Sequence, residues 1–377
     1  MITIIDTLGY AIVAPILYTY TQKFGLSDFQ NGLLFATFSI CQFIAAPIIG
    51  RLSDKFGRRP LLITSIAGTA VSFFLMAFAP NAFFLFLARA LDGITAGNYS
   101  VAAAVISDTT KGHERTKGFA MFGAANEFGF ILGPLIAAAT VGIHINTPYI
   151  IAGILCIITL ILTILYLPET NKHIGKVEES NPFDFSRMIK AATQKPIGYI
   201  LLTTFFYALS FSLVFFAFQP FCLKVLNLDA SHISILFTVL GSSGLAAQVL
   251  LIPNLSKGLG LKKGLMLSLL LTSLALFFMY GINSIALFVV AVIMVGISTA
   301  ATETLIEVIL SKNASDKEQG TIMGINSSYG SMGRIIGPIL GGVLATIAVP
   351  LPFLFGGIIS LVCIYLSLKI PEKIEKA

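Results

Sequence analysis

Apolar runs of about twenty residues, separated by short polar breaks, follow one another along the whole chain. They cover 3–22, 29–49, 61–79, 83–106, 118–141, 148–167, 198–222, 231–253, 264–282, 285–310, 321–345 and 352–370. At about 1.5 Å per helical residue, each run is long enough to cross a hydrocarbon core about 30 Å thick. Lipid offers the backbone no hydrogen-bond partner, so runs of this length must be helices, and the period-two alternation of a membrane barrel is missing. The pattern predicts an all-α membrane protein of twelve transmembrane helices. Composition agrees: 56% of the 377 residues are hydrophobic and 11% charged, more apolar surface than a soluble domain of this size could hide from water.

A net charge of +6 raises the question of a nucleic-acid partner, and the placement of the basic residues answers it. All but four of the 24 Lys and Arg residues fall in the connections after spans 2, 4, 6, 8 and 10 or in the C-terminal tail. Lys23 and Lys224 lie in the opposite connections, and Arg89 and Arg334 lie inside spans. Such sorting is topological: it puts both termini in the cytoplasm and argues against nucleic acid as a partner. The apolar N-terminus has no basic n-region, holds Asp6 and leads straight into more spans, so it reads as span 1 and not as a signal peptide. Cys41, Cys156, Cys222 and Cys363 all fall within spans as small packing residues, which implies neither a disulfide framework nor a metal site. No catalytic Ser/His/Asp arrangement or metal-ligand spacing stands out, so enzyme activity is not supported.

The longest polar stretch, from Pro168 to Pro196, reads as a solvated cytoplasmic linker. It divides the chain into a six-helix bundle at 1–167, a linker at 168–197 and a second six-helix bundle at 198–377. The halves match at an offset near 203: Leu52, Ser53 and Gly57 fall on Leu255, Ser256 and Gly260, and Gly93 falls on Gly296. Within a residue or two, Gly118 and Met121 fall on Gly320 and Met323, and Gly129, Gly133 and Pro134 on Gly333, Gly337 and Pro338. Six spans is an even number, so both copies enter from the same side and the pseudo-repeats are parallel, with a solute site expected at their interface.

The loop after span 2 reads Gly50-Arg51-Leu52-Ser53-Asp54-Lys55-Phe56-Gly57-Arg58-Arg59-Pro60. Two glycines would allow the tight reversal, while Asp54, Arg58 and Arg59 can make charged contacts to a neighbouring helix end that lock one conformation and release in another. A basic topogenic loop alone would explain the arginines but neither the glycine spacing nor the acid. This motif resembles the signature of the major facilitator superfamily, and the resemblance extends over essentially the whole chain. Asp6 to Pro15 looks like the first helix of its proton-coupled drug antiporter branch, and Arg89-Ala90-Leu91-Asp92-Gly93 resembles that branch's span-4 motif. Gly129, Gly133 and Pro134 are similar to its GxxxGPxxGG motif, but Ala137 and Ala138 replace the last two glycines; the complete version, Gly333 to Gly342, sits in span 11. Pro168-Glu169-Thr170 is also similar to a family motif, and the run from Arg89 to Pro134 looks most like bacterial tetracycline/proton exporters.

Ionisable groups inside a span cost several kcal/mol and are functional hypotheses by default. Arg89 and Asp92 lie about 9 and 13 Å into span 4, and Glu127 about 14 Å into span 5 from the other side. Asp92 or Glu127 is the candidate for a coupling proton, with Arg89 favouring the charged carboxylate; a permanent neutralising pair that only aids packing is the competing reading. Asp6, about 8 Å from the cytoplasmic edge, is a further proton-coupling candidate for which interface solvation is an equal contender. Glu303 and Glu307 fall at the cytoplasmic end of span 10, where a wet location suffices for Glu307. Asp108 resembles the family's acid partner of the loop arginines, and an Asp108–Arg58 contact is expected to close the cytoplasmic side in one state. Gating is expected of Gly50, Asp54, Gly57, Arg58, Arg59, Asp108, Gly129, Gly133, Pro134, Gly333, Gly337 and Pro338. Arg334 has no acid on its own span and could receive an anionic group; with Tyr207, Phe211, Gln248, Asn326 and Ser327 it is a candidate for the solute cavity.

The resemblance implies a proton-coupled antiporter that exports a small organic solute by alternating access. It needs no cofactor beyond the proton gradient, works as a monomer in the bacterial inner membrane, and has its solute, protons and the lipid bilayer as partners. The alternatives are a carrier of a specific organic anion, such as a siderophore or carboxylate, and a membrane sensor that has lost turnover.

Overall fold

The structure is a computed structural model describing residues 2–96, 98–110, 112–171, 185–252, 259–313 and 319–371. Linker residues 172–184, Leu255, Ser256, the tail from 372 and the side chain of Asp6 lie outside the described residues. Among those described, every regular element is helical. In the first half these are α1 (Ile2–Val13), α2 (Leu17–Thr21), α3 (Asp28–Phe56), α4 (Arg58–Ala77), α5 (Ala82–Thr95), α6 (Asn98–Thr109), α7 (Gly112–Thr140) and α8 (Thr147–Tyr166). They are followed by α9 (Phe185–Thr193), α10 (Ile197–Lys224), α11 (Ala230–Leu250), α12 (Leu261–Tyr280), α13 (Ile285–Asn313), α14 (Gln319–Ile347) and α15 (Leu351–Leu368).

Ten of these helices are long and apolar enough to cross a membrane. The two remaining predicted spans are each divided. Span 1 breaks between Val13 and Leu17, where Pro15 cannot donate to the helical ladder, and span 4 is two helices that meet between Thr95 and Asn98. The predicted linker is also not wholly irregular, since α9 forms within it and buries Ala191 against Ile200 and Leu201. Large apolar side chains such as Val71, Phe83, Leu165 and Ile347 stand more than half exposed, while buried Ser and Thr lie inside, the inversion expected when lipid is the solvent.

Local chemistry sets the helix ends. At α3, Ser27 and Gln30 form a reciprocal capping box, Gln30 N donating to Ser27 Oγ at 3.2 Å and Ser27 N to Gln30 Oε1 at 2.9 Å. Asn81 caps α5, and Asp229 accepts from the His232 N–H at the start of α11. Gly57 alone separates α3 from α4; its φ of 101° is open to glycine at little cost, and Gly260, before α12, has a φ of 77°.

The helices group into two compact units. One comprises Met1–Leu26, Thr37–Phe183 and Asp229–Thr238, the other Ser27–Ala36, Asp184–Leu228 and Val239–Ala377. Thus α3 and α11 each begin in one unit and end in the other. Within the second unit, the start of α3 lies against Gly342 of α14, where an added Cβ would stand 2.8 Å from the Asp28 carbonyl. Lys224 closes the same region on the Asp28 carboxylate at 2.8 and 2.9 Å.

Each unit repeats the other's packing. Gly129 and Gly133 of α7 lie on α1, where a Cβ would meet Leu8 N and Ile12 N at 2.9 Å. Gly333 and Gly337 of α14 lie in the same way on α10, against Leu209 N at 2.6 Å and Leu213 N at 2.9 Å. Both helices run unbroken through their prolines, Pro134 and Pro338. Thr69 of α4 and Thr95 of α5 share a hydrogen bond of 2.9 Å, and at the offset of 203 Thr272 of α12 donates to Ser298 of α13, also at 2.9 Å.

Candidate functional site

In the first unit, α5 carries Arg89 and Asp92 three residues apart, one above the other on a single face. Arg89 Nη1 donates to Asp92 Oδ2 at 3.0 Å; the two side chains are 2% and 9% exposed. The Phe38 ring of α3 lies 4.4 Å from the guanidinium carbon, on the face where an aromatic quadrupole attracts a cation. Gly93 lets α5 lie close to α3, with Cys41 Cβ 2.8 Å from where its own Cβ would be. Removing two charges from water costs several kcal/mol each, which the pair's attraction offsets only if it stays intact.

The second unit shows what this helix requires without charges. At the same offset of 203, Arg89 and Asp92 correspond to Val292 and Val295 of α13, which are 0% and 5% exposed. The Thr–Ser bond and the close approach at Gly296, against the Leu240 carbonyl, are nonetheless kept. At the equivalent place of the second unit, packing is satisfied by two valines.

Glu127 is half-buried on α7, and among the described residues no hydrogen bond or ion pair joins it to Arg89 or Asp92. Its neighbour Asn126 is bonded to Thr7 of α1. An apolar cavity of about 650 Å³ opens beside this stretch, lined by Ile4, Leu62, Val105, Met121, Phe128 and Leu167 among others. It lies within the first unit, and none of the predicted solute-cavity residues lines it.

Those residues belong to the second unit and divide into two groups. Tyr207 is buried, stacks on Phe211, and its hydroxyl faces the Thr299 carbonyl at 3.3 Å and Glu303 Oε1 at 3.5 Å. Asn326 is 9% exposed and accepts from Thr204 at 2.6 Å. Gln248 and Ser327 are exposed. Arg334, with no acid on its own span, donates to Ser331 one turn away at 3.0 Å, with Gly330 leaving room for the guanidinium. Sequence reasoning passed over Glu303 as an end-of-span residue. Because α13 continues to Asn313, Glu303 sits ten residues, about 15 Å, from the helix end.

The loop after α3 is a dense polar junction. Arg58 bonds Asp108 Oδ2 at 3.0 Å and Asp54 Oδ1 at 2.6 Å, so the predicted Asp108 contact is formed. All three residues belong to the first unit, so the contact ties α3, α4 and α6 within one body. Glu169, known from sequence only as part of a motif, caps α4: its two carboxylate oxygens accept from Arg58 N at 2.9 Å and Arg59 N at 3.0 Å. Burial pushes its carboxyl up, but backbone N–H groups of Asn171, Arg58, Arg59 and Thr170 outweigh that and hold it below the usual glutamate range. Arg59 in return donates to the Ile164 carbonyl in the last turn of α8 at 2.7 Å, and Asn171 reaches the Asp54 carbonyl at 3.1 Å. Gly50 makes no such turn, since it is helical, lacks a positive φ, and a Cβ there would meet nothing within 4 Å.

Comparison with known proteins agrees with this architecture. The family model described as Major Facilitator Superfamily matches residues 1–199 and again 200–377. Multidrug resistance protein 1 of Bacillus subtilis is 30% identical over 92% of this chain and 89% of its own. Tetracycline resistance protein, class H, of Pasteurella multocida is 29% identical over 90% of this chain and 86% of its own. Among solved structures, the nucleoside transporter NupG superposes with a TM-score of 0.81 at 14% identity, covering 97% of this chain and 96% of that one.

Proposed function

Because this chain belongs to the Major Facilitator Superfamily, a family of membrane transporters and not of enzymes, we propose that it is a proton-driven exporter of a small organic solute working by alternating access. The broken pairs α1–α2 and α5–α6 complete twelve crossings with the ten long helices, and the sorted basic loops put both termini in the cytoplasm. The membrane concerned is the bacterial inner membrane, as the bacterial relatives imply. The protein acts as a monomer and needs no cofactor beyond the proton gradient.

One observation carries the proton coupling: the first unit keeps a buried Arg89–Asp92 pair where the second builds the same helix with Val292 and Val295. A costly feature that packing does not require is retained for what it does. In this reading Asp92 binds the proton entering from outside, Arg89 holds the site ready as a carboxylate, and neutralisation of the acid frees the guanidinium to let the units rearrange. Glu127, at a similar depth, is the alternative proton-binding acid, and Asp6 is a further candidate nearer the cytoplasmic edge. Drug-like solutes are favoured over organic anions by the likeness to tetracycline and multidrug resistance proteins.

Purified protein in liposomes, loaded in turn with tetracycline, cationic dyes and organic acids under an imposed pH gradient, tests the proposal. Uptake driven by the gradient for a drug-like solute, lost in Asp92→Asn, is expected. Solute movement indifferent to the gradient would refute proton coupling, and gradient-driven movement of the organic acids alone would favour the anion carrier.

A further inference from the structure

Among the described residues, seven buried side-chain polar atoms find no hydrogen-bond partner, all in the first unit, and three of them bear on the charged pair: Arg89 Nε, the Tyr149 hydroxyl and Asn146 Oδ1. Asn146 and Tyr149 lie where α4 ends and α8 begins, and Arg89 reaches Tyr149 from α5. Asn146 turns its Nδ2 to the Ala77 carbonyl at 2.6 Å, and the Tyr20 hydroxyl donates to the neighbouring Met76 carbonyl at 2.8 Å. Tyr149, one turn into α8 from Asn146 and 0% exposed, packs its ring 4.9 Å from that of Tyr20 and lies within electrostatic reach of Arg89. A buried donor and buried acceptors left unmade cost about 1–3 kcal/mol each, and interiors meet that cost with ordered water.

The second unit again supplies the control. Tyr149 is the third residue of α8 and Phe353 the third of α15, each following a proline. Counted from the glycine contacts on α1 and α10, Tyr20 corresponds to Phe221, and the Phe221 and Phe353 rings lie 5.0 Å apart. The same ring pair is thus built in one unit with hydroxyls, above a charged pair, and in the other without them, above two valines. The hydroxyls and the charges occur together in the first unit and are absent together at the equivalent places of the second.

We propose that Arg89, Tyr149 and Asn146 hold a short file of buried water that carries protons from the outer surface to the Asp92 carboxylate. This rests on the assignment of Asp92 as the proton-binding acid. A hydronium at the mouth gives up one proton and becomes water; each water, and the Tyr149 hydroxyl, takes one proton as it passes one on; and the carboxylate ends as the acid. Arg89 keeps its own protons and orders the file through its Nε–H. The charged and titratable groups around the file are Arg89 and Asp92 on α5, Tyr149 on α8, Tyr20 with Lys23 5.9 Å above its ring, and His144 beside the Asn146 N–H. Among the described residues, α3 presents Phe38 and the Cys41 thiol and α4 presents Ser72.

Tyr149→Phe and Asn146→Leu test the file, and the first should fold normally because Phe353 already fills the equivalent place. Radiolytic hydroxyl labelling of the full-length protein in liposomes should mark Tyr149 in the wild type. Both variants should slow gradient-driven transport by about tenfold or more, the scale of a lost proton-transfer step. Solute exchange without a gradient, which needs no net proton movement, should keep its rate. If Asp92→Asn uncouples transport but Tyr149→Phe and Asn146→Leu run at the wild-type rate and Tyr149 stays unlabelled, the water file is wrong and the proton site stands. If Asp92→Asn remains fully coupled, the proton assignment itself fails, and the file's role with it.

Discussion

At the scale of single residues, the Arg89–Asp92 pair couples stability to function in a way that a single substitution confuses. Asp92→Asn leaves Arg89 buried without a counter-charge, which should cost about 3–5 kcal/mol and show as a lowered thermal unfolding midpoint in detergent. The double variant Arg89→Gln, Asp92→Asn should regain most of that while remaining uncoupled; a double variant no more stable than the single would mean that the pair does not hold charges against each other. Glu169 makes a second, pH-dependent case. Its folded pKa is depressed, so the capping of α4 is fully present above the ordinary glutamate value of 4.5 and fades as pH falls through the lower folded value. Glu169→Gln should therefore destabilise the protein near neutral pH by about 0.5–1 kcal/mol, the low end of capping energies because the site is exposed. The difference from wild type should shrink on acidification; a constant gap would show that the ionised carboxylate is not the cap. Sequence exposed the rarity of Arg89 and Asp92 as charges in a span. It did not expose the capping role of Glu169, because this cap joins two ends over 100 residues apart.

At the scale of helices, close approach separates glycines that look alike in sequence. Gly333→Leu would drive its side chain into the α10 backbone, with Leu209 N only 2.6 Å from the new Cβ, and should lose at least about 1–3 kcal/mol or fail to accumulate in the membrane. Gly50→Ala faces open space in a helical conformation and should stabilise α3 by about 0.5–1 kcal/mol. Melting both variants in detergent checks the contrast, and equal losses would mean that Gly50 has a steric partner after all. The GxxxGP spacing was legible as a packing signal. Which helix it packs on was not, since α7 could have met any neighbour; only the fold shows α1 and α10 as the equivalent partners.

For the whole molecule, the basic loops make the membrane orientation testable. In a cysteine-free background, Lys55→Cys should react with an impermeant thiol reagent only from the cytoplasmic side and Lys23→Cys only from the outside; both positions are exposed. Labelling of both from one side would overturn the proposed topology. The amino-acid sequence by itself determined the class of the fold, the repeat and the order of spans, because apolar length, charge sorting and glycine spacing are one-dimensional consequences of living in lipid. Tertiary structure alone decided that spans 1 and 4 are broken, that Arg334 donates to Ser331, and that Tyr149 comes within reach of both Tyr20 and Arg89. These depend on which faces of four separate helices turn toward one another, a relation fixed by packing in three dimensions that no linear pattern carries.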